Sequence, residues 1–223
     1  MSSIGSKIEA LVKGDDLPQR IERALRGGYR GSSQPIRMSP ELSYGRHAGP
    51  APITARAAAV ILLLFRRAGR WHLPLTERPT TLTRHAGQIS LPGGAVEIGE
   101  PSVQAALREV EEELGFTGRA GIVGRLADCY VFASDFLVTP WVAASLEPDI
   151  IWLPHDHEVQ SVVELPLDVL LDAKTMGRLT IERGPLVFHA PCFRVGSTRV
   201  WGATCNILSE LAGVLRFLLE MPE

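Results

Sequence analysis

The sequence predicts an α/β fold, and three observations carry that prediction. Residues 57–65 (AAAVILLLF) form an unbroken apolar run, which reads as a buried strand. Val103, Ala106, Leu107, Val110 and Leu114 recur at helical spacing and so form one apolar face. Short strand-like segments of mixed pattern alternate with two or three helical segments along the rest of the chain.

Taken in order, residues 1–52 read as an N-terminal extension. Ile8 and Leu11, then Ile21 and Leu25, mark two short amphipathic helices separated by Gly14, Asp15 and Asp16. Residues 27–52 are rich in Gly, Ser and Pro and read as a wrapping arm or linker. The main domain is expected over 53–223. It opens with strands over 56–65 and 71–76, joined by a turn at Ala68 and Gly69. A polar stretch over 77–88 leads into ISLPGG. The clearest helix covers 101–114, with Pro101 suited to its first turn and Gly115 to its stop. Strand candidates follow over 122–126, 129–133, 136–143, 159–164 and 186–189, and a helix over 203–219 closes the chain.

Composition excludes several function classes. The 223 residues are 45% hydrophobic and 22% charged, ordinary for a soluble globular protein and enough to bury a core without staples. A net charge of −2 gives no basic excess for nucleic acid or an anionic membrane. The run over 57–65 falls far short of the roughly 20 residues that span a bilayer, and the N-terminus lacks the pattern of a signal peptide. Cys129, Cys192 and Cys205 are widely spaced and odd in number, which fits a reducing, cytoplasmic setting better than a disulfide framework.

Residues 108–116 (REVEEELGF) place four glutamates in five positions. At about 100° per residue, Glu109 and Glu113 share one stripe of the helix and Glu112 lies beside it, whereas Glu111 falls on the other flank. Three clustered carboxylates suit a hard cation such as Mg²⁺ or Mn²⁺, which converts their repulsion into attraction. A solvated acidic face, with Arg108 and Glu112 paired at i,i+4, is the plain alternative for the cluster taken alone.

The surroundings weigh against that alternative. Gly94, five residues, Glu100, seven residues and then Arg-Glu-Val-Glu-Glu-Glu-Leu-Gly-Phe match every fixed position of the Nudix box. The chain therefore resembles the Nudix hydrolases. That resemblance implies an α/β/α sandwich with a mixed β-sheet and a loop–helix–loop that holds Mg²⁺ or Mn²⁺ against a diphosphate. It makes Glu109, Glu112 and Glu113 the ligand set, with the carbonyl of Gly94 as a further ligand. It also implies a catalytic glutamate that helps deprotonate the attacking water, and a homodimer. Arg108 is expected to brace the glutamates, and Glu100 to have a structural role.

The stretch upstream narrows the resemblance. Residues 75–94 (LTERPTTLTRHAGQISLPGG) are similar to the pattern LLTxR(S/A)xxxRxxxGxxxFPGG of the coenzyme A diphosphatase subfamily. Leu75, Thr76, Arg78, Gly87, Pro92, Gly93 and Gly94 match in register; Pro74, Pro79, Thr83 and Leu91 depart from it, and Arg84 stands one place beyond the expected arginine. The segment WGATCNIL over 201–208 also resembles that subfamily. The implied substrate is coenzyme A or an acyl derivative, split into 4′-phosphopantetheine and adenosine 3′,5′-bisphosphate. Arg78, Arg84 and His85 are the candidate phosphate-binding residues. For the last two, a solvated loop with local salt bridges reads equally well.

Glu158, in His155-Asp-His-Glu158, is an expected auxiliary catalytic group, since Nudix enzymes often bring an extra glutamate or histidine from such a loop. The His-Asp-His-Glu spacing fits no standard zinc pattern. Two other readings of the box stay open: a diphosphatase for another nucleoside diphosphate derivative such as ADP-ribose, and a non-catalytic ligand-sensing module.

Overall fold

The computed structural model describes residues 3–29, 51–81, 87–147 and 149–221. Two helices open the chain, α1 (Ile4–Lys13) and α2 (Leu17–Arg23). Ser3 caps α1 by accepting from the Ser6 amide, and Pro18 sits in the first turn of α2. Both helices share the main core: Leu11, Val12, Leu17 and Ile21 are at most 2% exposed. Trp71 Nε1 donates to the Gly14 carbonyl at 2.7 Å, which fastens the turn between the helices to the sheet.

The principal sheet is mixed. Its strands are β1 (Arg56–Arg67), β2 (Arg70–Glu77), β3 (Ile89–Ser90), β4 (Gly93–Ala95), β5 (Ala120–Arg125), β6 (Cys129–Val131), β7 (Phe136–Ser145) and β8 (Ser161–Pro166). The main path runs β3-β2-β1-β7-β5, with β4 on β1, β6 on β7 and β8 on β2. The pair β1–β7 is parallel, from Arg56↔Phe136 to Leu64↔Ala144, and the other pairs are antiparallel. One edge of β1 is shared. It pairs with β4 through residues 58–60 and with β2 only through residues 65–67. The β1–β2 turn places Ala68 (φ 50°) and Gly69 (φ 75°) in the left-handed region, which a tight two-residue hairpin needs.

Strand β1 explains the sandwich. Its side chains alternate between two cores: Ala58, Leu62 and Leu64 face one, and Ala59, Ile61, Leu63 and Phe65 face the other. The second core is closed by α3 (Ser102–Leu114) through Ala105, Ala106, Val110 and Leu114. The first is closed by α1, α2 and α4 (Gly202–Glu220), which buries Cys205, Leu208, Leu211, Ala212 and Leu215 on one face. Burying a Leu or Ile side chain contributes about 1.5–3 kcal/mol. Helix α4 is long and apolar enough to cross a membrane by length and composition, but its apolar stripe is taken up by this core.

The structure adds elements that the sequence pattern did not announce. Strands β3 and β4 are two and three residues long. A separate antiparallel sheet follows, made of β9 (Met176–Arg183), β10 (Leu186–Val195) and β11 (Thr198–Trp201) in the order β11-β10-β9. The expected strand over 186–189 is the first part of β10. The strand expected over 159–164 is shifted to Ser161–Pro166, because residues 155–159 form a turn. All three cysteines are free thiols.

Candidate active site

The site is assembled where the β4 strand meets α3. Gly93 has φ 154°, and a Cβ there would lie 2.6 Å from the Val60 Cα, so only glycine lets β4 reach this register on β1. Gly94 follows. A Cβ on Gly94 would fall 2.5 Å from Cδ and 2.7 Å from Oε2 of Glu109. The Gly-Gly pair thus brings bare backbone against the glutamate stripe.

Glu113 is 6% exposed and its Oε2 accepts from the Gly93 amide at 3.2 Å. Burial pushes its carboxyl up to about 8; the Gly93 hydrogen bond opposes the rise, the Glu109 and Glu158 charges add to it, and the Arg78 charge opposes it. Glu109 is also raised, first by burial, then against Arg108 and with help from Glu112 and Glu158. Glu111 is exposed, as its place on the far flank requires. The cluster is therefore a group of carboxyls on one side of α3 in which burial disfavours the ionised form of Glu109 and Glu113.

Arg108 organises the rim. Its Nη1 donates to Glu109 Oε1 at 2.8 Å and to Glu112 Oε2 at 2.9 Å. Its Nε donates to Glu100 Oε1 at 3.0 Å, and Nη2 to Glu100 Oε2 at 3.3 Å and to the Ala95 carbonyl at 3.2 Å. The Glu100 carboxylate, held below the usual carboxylate range by Arg108 and by the Glu97 amide, anchors the guanidinium. The expected bracing by Arg108 and structural part for Glu100 describe these contacts. Glu112 is the odd member: its side chain is 56% exposed and turned to Arg108. Among the described residues, no three His, Cys, Asp or Glu side chains are already drawn into ligand geometry. The donors still suit a hard divalent ion. They are all oxygen, Glu113 is buried and Glu109 half-buried, both with raised carboxyl values, and the Gly94 backbone lies against Glu109.

Two further segments approach the cluster. The turn over 153–159 hangs from the end of α3: Leu153 N donates to Leu114 O at 2.9 Å and His155 N to Glu113 O at 3.1 Å. Glu158 and Val159 amides then close on the His155 carbonyl, both at 2.9 Å. Gly115, with φ 66°, ends α3 and leaves room for Leu153, whose carbonyl would lie 2.7 Å from a Cβ there. Arg78 approaches from the end of β2. Its amide donates to Gln88 O at 3.0 Å and its carbonyl accepts from Gly87 N at 3.1 Å. The buried Arg78 Nε has no hydrogen-bond partner among the described residues. Gly94 thus lies against Glu109, Gly93 is bonded to Glu113, and the charges of Glu158 and Arg78 act on Glu113. Arg84 and His85 lie outside the described residues.

The sequence reading missed the fastening behind the Glu158 turn. Glu164 accepts from Arg67 Nη2 at 2.6 Å and from Trp152 Nε1 at 2.8 Å, while Arg67 Nη2 also donates to Ile150 O at 2.8 Å. Arg67 and Glu164 stand 97 positions apart, so no local pattern announces them.

The chain is similar to known proteins of one family. The sequence model of the NUDIX domain matches residues 55–182. A protein described as an uncharacterized Nudix hydrolase, NudL, from Salmonella paratyphi B is 35% identical over 161 residues, covering 72% of this chain and 83% of the relative. Its counterpart from Salmonella newport matches equally. Among solved structures, a Nudix hydrolase from M. smegmatis, RenU, is 22% identical with a TM-score of 0.44, covering 53% of this chain and 74% of that one. A MutT/nudix family protein from Enterococcus faecalis is 15% identical with a TM-score of 0.47, covering 78% and 67%.

Proposed function

The chain belongs to the NUDIX hydrolase family, and from that premise we propose that it hydrolyses the diphosphate bond of coenzyme A or acyl-coenzyme A. The products are 4′-phosphopantetheine, or its acyl form, and adenosine 3′,5′-bisphosphate. The observation that carries the substrate choice is the segment over 75–94, whose Arg78, Gly87 and Pro92-Gly93-Gly94 keep the register of the coenzyme A diphosphatase pattern.

In this reading Glu109, Glu112, Glu113 and the Gly94 carbonyl hold Mg²⁺ or Mn²⁺. Such an ion, when bound, neutralises diphosphate charge and lowers the pKa of the attacking water. The chain's own residues do the rest. The Gly93 amide fixes the rotamer of Glu113, and Arg108 holds Glu109 and Glu112 on the outer side of the stripe. Arg78 supplies a guanidinium next to the cluster, with a free Nε–H for a phosphate oxygen. Glu158, whose charge acts on Glu109 and Glu113, serves as an auxiliary group that accepts the proton of the water. Water adds to one phosphorus, the bridging P–O bond breaks, and the displaced phosphate leaves with the electron pair. Arg84 and His85 are proposed as further phosphate contacts, and a homodimer in the cytoplasm as the working state.

The test compares kcat/KM for coenzyme A, acyl-coenzyme A and ADP-ribose with Mg²⁺ and with Mn²⁺. The proposal predicts the highest value for a coenzyme A species. A higher value for ADP-ribose overturns the substrate choice and leaves the family chemistry standing.

A further inference from the structure

We infer that Arg67, Glu164 and Trp152 form a fastening whose task is to position Glu158 against the glutamate stripe of α3. The inference rests on the proposed role of Glu158 and deepens it. These three side chains touch neither the stripe nor a substrate in that reading, so they are positioning residues.

The geometry runs in a chain of contacts. Glu164 lies on β8 and Arg67 ends β1, so both sit on the rigid sheet. Arg67 reaches Glu164 with two nitrogens: Nη2 at 2.6 Å from Oε1, and Nε at 3.2 Å from Oε1 and 3.1 Å from Oε2. That is a forked, charge-assisted contact, which fixes orientation as well as distance. The same Arg67 Nη2 holds the Ile150 carbonyl at 2.8 Å. Glu164 Oε1 also takes the Trp152 indole N–H at 2.8 Å. Trp152 in turn packs edge-on against Phe65, with ring centroids 5.0 Å apart, and against Phe116 at 6.3 Å. Residues 150 and 152 are thus pinned to the sheet on one side. On the other, Leu153 and His155 are pinned to the last carbonyls of α3, those of Leu114 and Glu113.

The flanking side chains show why the pins are needed. Ile151 is 81% exposed and Leu153 is 69% exposed, so neither anchors the segment by burial. Burial holds the segment at its two ends, at Ile150 (5% exposed) and Val159 (1% exposed), and between them Trp152 is held to the sheet through its indole N–H on Glu164. Its last residues, 155–158, carry Glu158 on a single turn closed on the His155 carbonyl. A shift at residue 152 therefore moves Glu158 relative to Glu113, and a misplacement of about 1 Å at a reacting site costs about 100-fold in rate.

The experiment uses the full chain with Glu164→Gln and, separately, Trp152→Phe, each alone and combined with Glu158→Gln. The first readout is amide hydrogen exchange, which is independent of substrate. Faster exchange at Leu153 and His155 by about tenfold or more, with β1 amides unchanged, is expected. The second readout is kcat and KM for the diphosphate that the wild type hydrolyses best. Glu164→Gln should lower kcat by about tenfold with KM within about twofold, and add nothing once Glu158 is already Gln. Unchanged exchange at Leu153 and His155 overturns the fastening. Altered exchange with wild-type kcat, or the same loss of kcat in the Glu158→Gln background, overturns its link to Glu158. Wild-type kcat in Glu158→Gln alone overturns it too. A wild-type chain inactive on every diphosphate, with the exchange response intact, overturns instead the reading of function beneath it.

Discussion

The Gly93 amide nitrogen lies 3.2 Å from Oε2 of Glu113, tying the start of a three-residue strand to the last turn of a helix, 20 positions later. This contact joins the glycine pair to the glutamate stripe and sets the orientation of the most buried carboxylate in the cluster. From it follows the first prediction. Replacing Glu113 by Gln keeps the shape and the acceptor but removes the charge. We expect kcat to fall by about 10²–10³-fold with the far-UV spectrum unchanged. Glu112→Gln should lower kcat in the same direction. Steady-state kinetics and circular dichroism on the purified variants check this, and near-normal turnover in both would refute the ligand assignment.

Gly94→Ala tests the close approach of backbone to carboxylate. The added Cβ would overlap the Glu109 carboxylate, and that carboxylate is held from behind by Arg108. Either the strand or the carboxylate must move. We expect about a 100-fold loss of kcat with a small change in Tm. A Gly94→Ala enzyme as active as wild type would show that Glu109 can retreat without cost.

Arg78 predicts a binding effect. Its buried Nε has no partner among the described residues, and its charge acts on Glu113. Arg78→Lys retains the charge but loses the planar fork, so KM for coenzyme A should rise about tenfold with a smaller change in kcat. An unchanged KM would leave Arg78 a structural arginine.

The Arg67–Glu164 pair predicts a pH dependence of stability. Burial works against ionisation of Glu164, but the hydrogen bonds of Arg67 and Trp152 and the Arg67 charge overcome it, and the carboxyl is held below its usual value of 4.5. A lowered folded-state value contributes stability that is present above 4.5 and is lost as pH falls through the folded value. Glu164→Gln should therefore cost about 1 kcal/mol at neutral pH. The Tm gap to wild type should close on acidification below 4.5. A gap independent of pH would contradict this.

Much of this was legible in the sequence. The alternation of β1 between two cores follows from a nine-residue apolar run, and α3 from its apolar spacing and its Gly115 stop. The helical wheel separated Glu111 from the other three glutamates; the structure leaves Glu111 exposed, but it leaves Glu112 exposed as well, turned to Arg108. What stayed hidden depends on distance along the chain. Strands β3 and β4 are too short for any period to show, whereas β9 alternates polar and apolar residues over 178–182 (RLTIE), a signal that the sequence reading passed over. The segment that carries Glu158 makes backbone bonds to residues 113 and 114 and accepts at the Ile150 carbonyl from Arg67, contacts that no local pattern encodes.

The central claim is that the carboxylate stripe of α3 splits a diphosphate with a divalent ion. It is tested most directly by resolving the products of coenzyme A hydrolysis by mass spectrometry, with Mg²⁺ and with a chelator. The account predicts 4′-phosphopantetheine and adenosine 3′,5′-bisphosphate in equal amounts with Mg²⁺, and neither with the chelator. Products that form equally fast in the chelator, or no cleavage of coenzyme A or any other diphosphate with Mg²⁺, would contradict it.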